Sequence, residues 1–168
     1  MSNYNQYIKS LNYLKKNKFK EDKKARSLTY FFKGRPQNTI LDNKLIQTGK
    51  TISNFLKKNL RINLHQSPKS NYHDMIIFQR KNTYVLPHKH PIGGETIHMI
   101  EGKLKVVLFN LKGKKIKTVT MDKNKNFIFR VPGKVFHSYK IISKLAIYHE
   151  NKNGPFIKGT GIIYPRWL

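Results

Sequence analysis

The 168-residue chain contains no cysteine, which removes disulfides, thiolate catalysis, iron–sulfur clusters and Cys-rich zinc sites together. Acidic side chains are also scarce, 8 against 34 basic ones, and the formal net charge is +26. No apolar run approaches the roughly 20 residues of a spanning helix. The N-terminus, Met-Ser-Asn-Tyr-Asn-Gln-Tyr, lacks the basic-then-apolar order of a secretory signal. The expectation is a soluble, cytoplasmic protein with no membrane span. What is present, 38% apolar and 12% aromatic residues, suffices for one domain plus an extension and excludes a disordered chain.

The positive charge first points to nucleic acid or an anionic surface. Its distribution argues otherwise. Residues 1–60 carry 14 basic and 3 acidic side chains, residues 61–168 carry 20 and 5, and only 6 of the 34 basic residues are Arg. Bidentate recognition of bases and phosphates favours Arg. Lys, Asn and Ile are abundant together, as compositional bias of a genome produces, so no specific nucleic-acid partner is expected. Anionic small molecules should still be drawn to any cleft.

Residues 1–38 read as a basic N-terminal extension. Tyr7, Ile8, Leu11 and Leu14 have helical spacing, and a basic run and the patch Thr29-Tyr30-Phe31-Phe32 follow. Packing on the domain or a dimer contact is the expected role, and a basic arm for RNA or lipid headgroups is the alternative. Leu41, Leu45, Ile52, Phe55 and Leu56 predict a covering helix over 39–58. Residues 59–168 change texture. Candidate strands are 74–79, 82–89, 95–100, 103–110, 115–121, 126–131, 136–142 and 144–150, with Glu101-Gly102 and Leu111–Lys114 as hairpin turns. Close-spaced strands without intervening helices predict an all-β antiparallel sandwich or barrel.

The chemistry concentrates in Pro87-His88-Lys89-His90-Pro91-Ile92-Gly93-Gly94-Glu95, a pattern H-x-H-x4-E followed by Gly102. A strand points residues i and i+2 the same way, so His88 and His90 face inward together. The Pro-Ile-Gly-Gly segment can reverse the chain and bring Glu95 beside them. Two imidazoles and a carboxylate inside a barrel call for a divalent metal. His137, after the turn Val131-Pro132-Gly133-Lys134, can supply a fourth ligand.

These residues resemble the cupin superfamily, whose first motif is G-x5-H-x-H-x3-4-E-x6-G and second G-x5-P-x-G-x2-H-x3-N. The likeness is closer to the WbuC-type cupin fold metalloproteins. It rests on Arg61–His65, Thr83–His90, Ile100–Leu104, Val107–Phe109, Val131–Ser138, Glu150 and Gly154-Pro155-Phe156, and covers 39–168. The resemblance implies a double-stranded β-helix (cupin or jelly roll), here with an N-terminal helical extension, binding one metal through His88, His90, Glu95 and His137. It also implies a setting in O-antigen or other surface-polysaccharide biosynthesis. Asn82 stands at the leading Gly of motif one, Lys134 at the Gly of motif two, where Gly133 is expected to take over the turn, and Ile141 at the final Asn.

Without thiolates the ligand set suits Fe, Mn, Ni, Co or Zn alike. Tyr84 shares strand parity with His88 and is expected to line the cavity as a proton donor or a packed Tyr. Arg61 and Asn63 are candidate substrate-binding residues, Arg61 for a carboxylate or phosphate against a structural ion pair. His65 is a candidate general base, against a solvent-exposed His. The resemblance favours Glu150 as a pocket residue, against a strand-end salt bridge. His98 reads as a surface residue, His73 as a loop residue, and Phe127, Phe129 and Val131 as core. The functional expectation is a metal-binding cupin acting on a sugar-derived, anionic intermediate, as an isomerase or epimerase and as a homodimer. The alternatives are a non-catalytic metabolite-binding cupin and an iron-dependent oxygenase, and the sequence leaves open whether the protein is an enzyme.

Overall fold

Both helices begin at side chains that satisfy otherwise unpaired backbone N–H groups. Ser2 Oγ accepts the Asn5 N–H (3.3 Å) at the start of α1 (Asn3–Lys16), and Asp42 accepts the Leu45 N–H (2.7 Å) at the start of α2 (Asn43–Leu56). The computed structural model describes residues 2–35, 42–156 and 161–168. Residues 39–41 of the expected covering helix, Leu41 among them, lie outside the described residues, as do the ends of the 1–38 extension and residues 157–160 of the expected barrel. α2 buries Leu45, Ile46 and Ile52. A Cβ on Gly49 would stand 2.1 Å from the Phe78 ring, so only glycine lets this helix rest directly on the sheet. Phe55, expected inside, is half-exposed and stacks on Tyr7 of α1 (centroids 4.3 Å apart).

Eleven strands follow the alternation in the sequence: β1 (Phe19–Glu21), β2 (Leu28–Phe32), β3 (Leu60–Asn63), β4 (Tyr72–Arg80), β5 (Tyr84–His88), β6 (Glu95–Glu101), β7 (Lys103–Phe109), β8 (Lys115–Asp122), β9 (Ile128–Val131), β10 (Phe136–Ile141) and β11 (Leu145–Asn153). One sheet has the order β1-β2-β3-β4-β11-β6-β9 and the other β5-β10-β7-β8. All pairings are antiparallel except β2 with β3. Met75, Ile77, Ile97, Met99 and Tyr148 of the larger sheet pack against Leu104, Val106, Met121, Tyr139 and Ile141 of the smaller. This is the expected double-stranded β-helix with an N-terminal helix, and all eight expected strands are present.

The larger sheet carries a second core on its other face. Leu60, Ile62, Ile76, Phe78 and Ile147 are covered by Leu14 of α1 and by Leu45, Ile46 and Ile52 of α2, with Phe19, Tyr30 and Phe32 alongside. The basic extension is therefore a helix, the edge strand β1 and its neighbour β2 packed on the barrel, which is the packing role expected of it, and its described Lys residues are exposed. No described helix is long and apolar enough to cross a membrane.

Three local expectations are corrected and one holds. Glu101-Gly102 is no hairpin, because β6 and β7 belong to different sheets, and the pair turns the chain from one sheet into the other. Leu111–Lys114 does join paired strands. His73 lies on β4 and is buried, although its neighbours Asn71, Tyr72 and Asp74 looked like loop. Phe127 precedes β9 and is half-exposed against His98, because β9 starts one residue later.

Candidate metal centre

His88 ends β5 and stands directly opposite His137 on β10. His90 lies just beyond β5, where Lys89 forms a two-way backbone bridge with Ile163 and the Lys134 N–H donates to the His90 carbonyl (3.1 Å). Glu95 opens β6. All four side chains are buried.

The hydrogen bonds fix the tautomers. Nδ1 of His88 donates to the Leu86 carbonyl (2.8 Å), that of His90 to Gly161 (3.1 Å) and that of His137 to Val135 (3.0 Å). A carbonyl only accepts, so each Nδ1 carries the proton and each neutral ring turns an Nε2 lone pair inward. One ligating nitrogen from each ring lies within 4.8 Å of the others. Glu95 Oε2 is 3.0 Å from His90 Nε2 and Oε1 is 3.1 Å from His137 Nε2. The second contact lacks hydrogen-bond geometry, and Glu95 Oε1 and His137 Nε2 have no other partner.

Lone pairs and a carboxylate crowded into a dry volume repel one another unless a cation sits among them. Burial, and then His137, push His88 down to about 4, which keeps the ring neutral as a ligand requires. Burial alone would raise the Glu95 carboxyl, but the positive charge of Lys152 opposes it and the carboxyl is held well below the usual range. Three imidazoles and one carboxylate fit a divalent transition ion or zinc, and the arrangement is that of a metal-binding cupin.

The second motif keeps its turn in an unexpected way. Lys134 itself takes the left-handed conformation (φ 64), as does Asn82 (φ 69) in the first motif. Gly133 does not take the turn over. It lies against the preceding loop, where a Cβ would meet the Gly93 carbonyl oxygen at 1.9 Å. His137 keeps its inward orientation.

Tyr84 is corrected: it faces solvent and is 51% exposed. Between the pairs His137–His88 and Tyr139–Val85, β5 has one residue more than β10. This bulge reverses the parity, so Val85 packs inside while Tyr84 and Leu86 point out.

The other candidates meet on the inner face of the larger sheet. Lys152 pairs with His73 on one side and Glu95 on the other, Glu150 lies between Met75 and Ile97, and Asn63 is opposite Met75. Arg61, Ile77 and Tyr148 form the next row. Lys152 Nζ is 3.2 Å from Glu150 Oε1 and 3.8 Å from Glu95 Oε2, tying Glu150 to the ligand cluster. His65 stacks on His73 (4.3 Å, 4°). His65 Nδ1 lies 3.0 Å from the Asp74 backbone N–H and 3.1 Å from the Asp74 carbonyl oxygen, so Asp74 anchors the ring through Nδ1 in either tautomer. Burial is the main reason its pKa falls to about 4. His73 and Lys152 were missed, although the parities 73/75/77 and 148/150/152 placed both with the inner-face residues. A separate cleft of about 520 Å³ between β8 and β9 includes none of these side chains.

Residues 43–121 match a family model described as a domain of unknown function (DUF6016). No curated protein matches the chain. Among solved structures the chain is similar to CapF with the inhibitor 3-isopropenyl-tropolone (9% identity, TM-score 0.52, 64% of this chain and 31% of that one). It is also similar to oxalate oxidase with the substrate analogue glycolate (17%, 0.46, 56% and 46%) and to Lactobacillus farciminis oxalate decarboxylase in a formate complex (19%, 0.46, 56% and 27%). These are cupin-fold proteins, and at such identities the likeness is one of fold. The chain spans less than half the length of each of them.

Proposed function

We propose that this protein is a metal-dependent cupin that moves a proton next to a carbonyl, as an isomerase or epimerase, on a sugar-derived intermediate of surface-polysaccharide biosynthesis. The observation that carries the proposal is the ion pair of buried Glu150 with half-buried Lys152, which stands on the same face as the ligand cluster and touches it through Glu95. The sequence likeness to WbuC-type cupins supports the pathway, and with it a cytoplasmic homodimer. In this reading residues 59–168 are the working barrel, 39–58 its cover and 1–38 a basic extension.

A divalent ion held by His88, His90, Glu95 and His137 supplies Lewis-acid polarisation of a carbonyl oxygen. Glu150 takes the proton from the neighbouring carbon and returns it on the same face to the adjacent carbon in isomerisation, whereas epimerisation needs a second donor on the opposite face. The Lys152 ammonium donates a hydrogen bond to the oxygen on which charge gathers. Arg61 and Asn63 hold the far end of the substrate, with the neutral His65 ring beside them. Tyr84 has no part.

The test is incubation of the metal-loaded protein with ketose phosphates, aldose phosphates and sugar acids in D2O, followed by NMR. Deuterium should enter at the carbon beside the carbonyl, and Glu150→Gln should slow its entry by about 100-fold or more, the scale of general acid–base catalysis. Stoichiometric metal with no exchange for any compound would contradict the proposal and favour a binding module, whereas oxygen uptake confined to the iron form would favour an oxygenase.

A further inference from the structure

The metal centre explains two of the buried side-chain polar atoms without a hydrogen-bond partner, Glu95 Oε1 and His137 Nε2. Three others among the described residues, Arg61 Nε, Asn63 Oδ1 and Tyr139 OH, belong to side chains on the same interior. Arg61 and Asn63 alternate along β3 with Leu60 and Ile62 of the outer core, so they face inward, and Tyr139 belongs to the inner core. Outside this interior the only such described atom is Trp167 Nε1. Native interiors leave few polar atoms unpaired, so a cluster of them marks a place that something else fills.

The missing partners have opposite requirements. Arg61 needs an acceptor, and among the described residues no carboxylate lies within ion-pair distance of it, whereas Lys152 is paired with both Glu150 and Glu95. Asn63 Oδ1 needs a donor. Water can satisfy Asn63 but leaves the Arg61 charge uncompensated. An oxyanion beside a hydroxyl satisfies both. Size follows from the sheet order: β3 and β6 are three strand spacings apart, about 14 Å between backbones at about 4.8 Å each. Side chains reaching in from both strands shorten that span to monosaccharide length, too long for a two-carbon acid.

We propose that the interior binds a monosaccharide-sized polyol bearing an oxyanion, with the oxyanion on Arg61, a hydroxyl donated to Asn63 Oδ1, and the rest of the molecule directed past Glu150 and Lys152 towards the metal ligands. The proposal rests on the reading of this interior as a substrate site and sharpens its substrate class. The oxyanion is a carboxylate in a sugar acid or a phosphate in a sugar phosphate.

Calorimetric titration of the cobalt-loaded protein with D-gluconate, D-glucose 6-phosphate, D-glucose and oxalate tests it. At least one of the first two should bind ten-fold or more tighter than glucose and oxalate, and which one does so identifies the oxyanion. Arg61→Leu should weaken that binding at least ten-fold while cobalt affinity and melting temperature hold. Arg61→Lys, which keeps the charge but loses Nε, should give a smaller loss and serves if the leucine variant does not fold. Equal binding of charged and neutral probes, no binding of either charged probe, or no effect of both Arg61 variants would overturn the proposal. Charged-probe binding without deuterium exchange would leave it standing and remove the catalytic reading, and exchange independent of Arg61 would do the reverse.

Discussion

The two faces of the larger sheet are built from the same strands and do opposite work. On the outer face, alternate residues of β3, β4 and β11 are aliphatic or aromatic and are sealed by α1 and α2, and its polar pair, His149 and Asp74, is mutually satisfied. On the inner face, the same strands contribute an apolar stretch, Met75, Ile77 and Tyr148, and then a polar end of Arg61, Asn63, His73, Glu150 and Lys152. That end holds polar atoms without a hydrogen-bond partner, next to four side chains that crowd one centre with lone pairs. A fold that can seal one face so thoroughly has the means to seal the other. The polar end is accordingly a working surface, and the outer face supplies the stability that lets it stay unsatisfied.

Substitutions can break or sharpen this contrast. The largest effect belongs to the outer face. Phe78→Ala should cost about 3–5 kcal/mol in denaturant unfolding and leave the metal content of the folded fraction unchanged, and loss of metal in step with stability would erase the distinction between the faces.

A smaller effect comes from the histidine pair on the inner face. The unfolded chain takes up a proton at His65 near 6.5, the folded protein only near 4, so the unfolded state binds more protons between those values. His73 is lowered in the same direction, chiefly by burial. Melting temperature of the metal-free protein should hold above about pH 6.5 and fall between about pH 6.5 and pH 4, where His88 acts in the same direction, and fall further below as Glu95 takes up its proton. His65→Asn should make the fall between about pH 6.5 and pH 4 shallower, and an unchanged profile in the variant would show that the pair carries no buried strain.

The smallest effect has the opposite sign. Asn63→Leu removes an unpaired buried oxygen and should raise stability by about 1 kcal/mol in thermal or urea unfolding. A marked destabilisation would mean that Asn63 is satisfied inside the protein and that the polar end is structural.

Much of this was legible in the sequence because β structure has a rigid period. The H-x-H-x4-E spacing brought His88, His90 and Glu95 together, and the alternation along β11 allowed only one of His149 and Glu150 inside, where the family resemblance favoured Glu150. The failures share a cause, since each depended on contacts distant in sequence or on a break in the period. One extra residue in β5 turned Tyr84 outward. The parallel pairing of β2 with β3 could not be read from the short, lysine-flanked run 28–32, and β1 is too brief to show a pattern. His73 was hidden by loop-like neighbours, although its register with Lys152 makes it part of the site. Lys134 adopts a glycine-like conformation that composition does not announce.

The central claim is that three imidazoles and a carboxylate hold one ion. Metal analysis of protein purified without chelator and then offered Mn, Fe, Co, Ni and Zn, alongside His137→Ala and the exposed control His98→Ala, tests it directly. The account predicts one divalent ion per chain in the wild type and in His98→Ala, and none retained by folded His137→Ala. A wild type that takes up no stoichiometric metal, or a His137→Ala variant as fully loaded as the wild type, would contradict it.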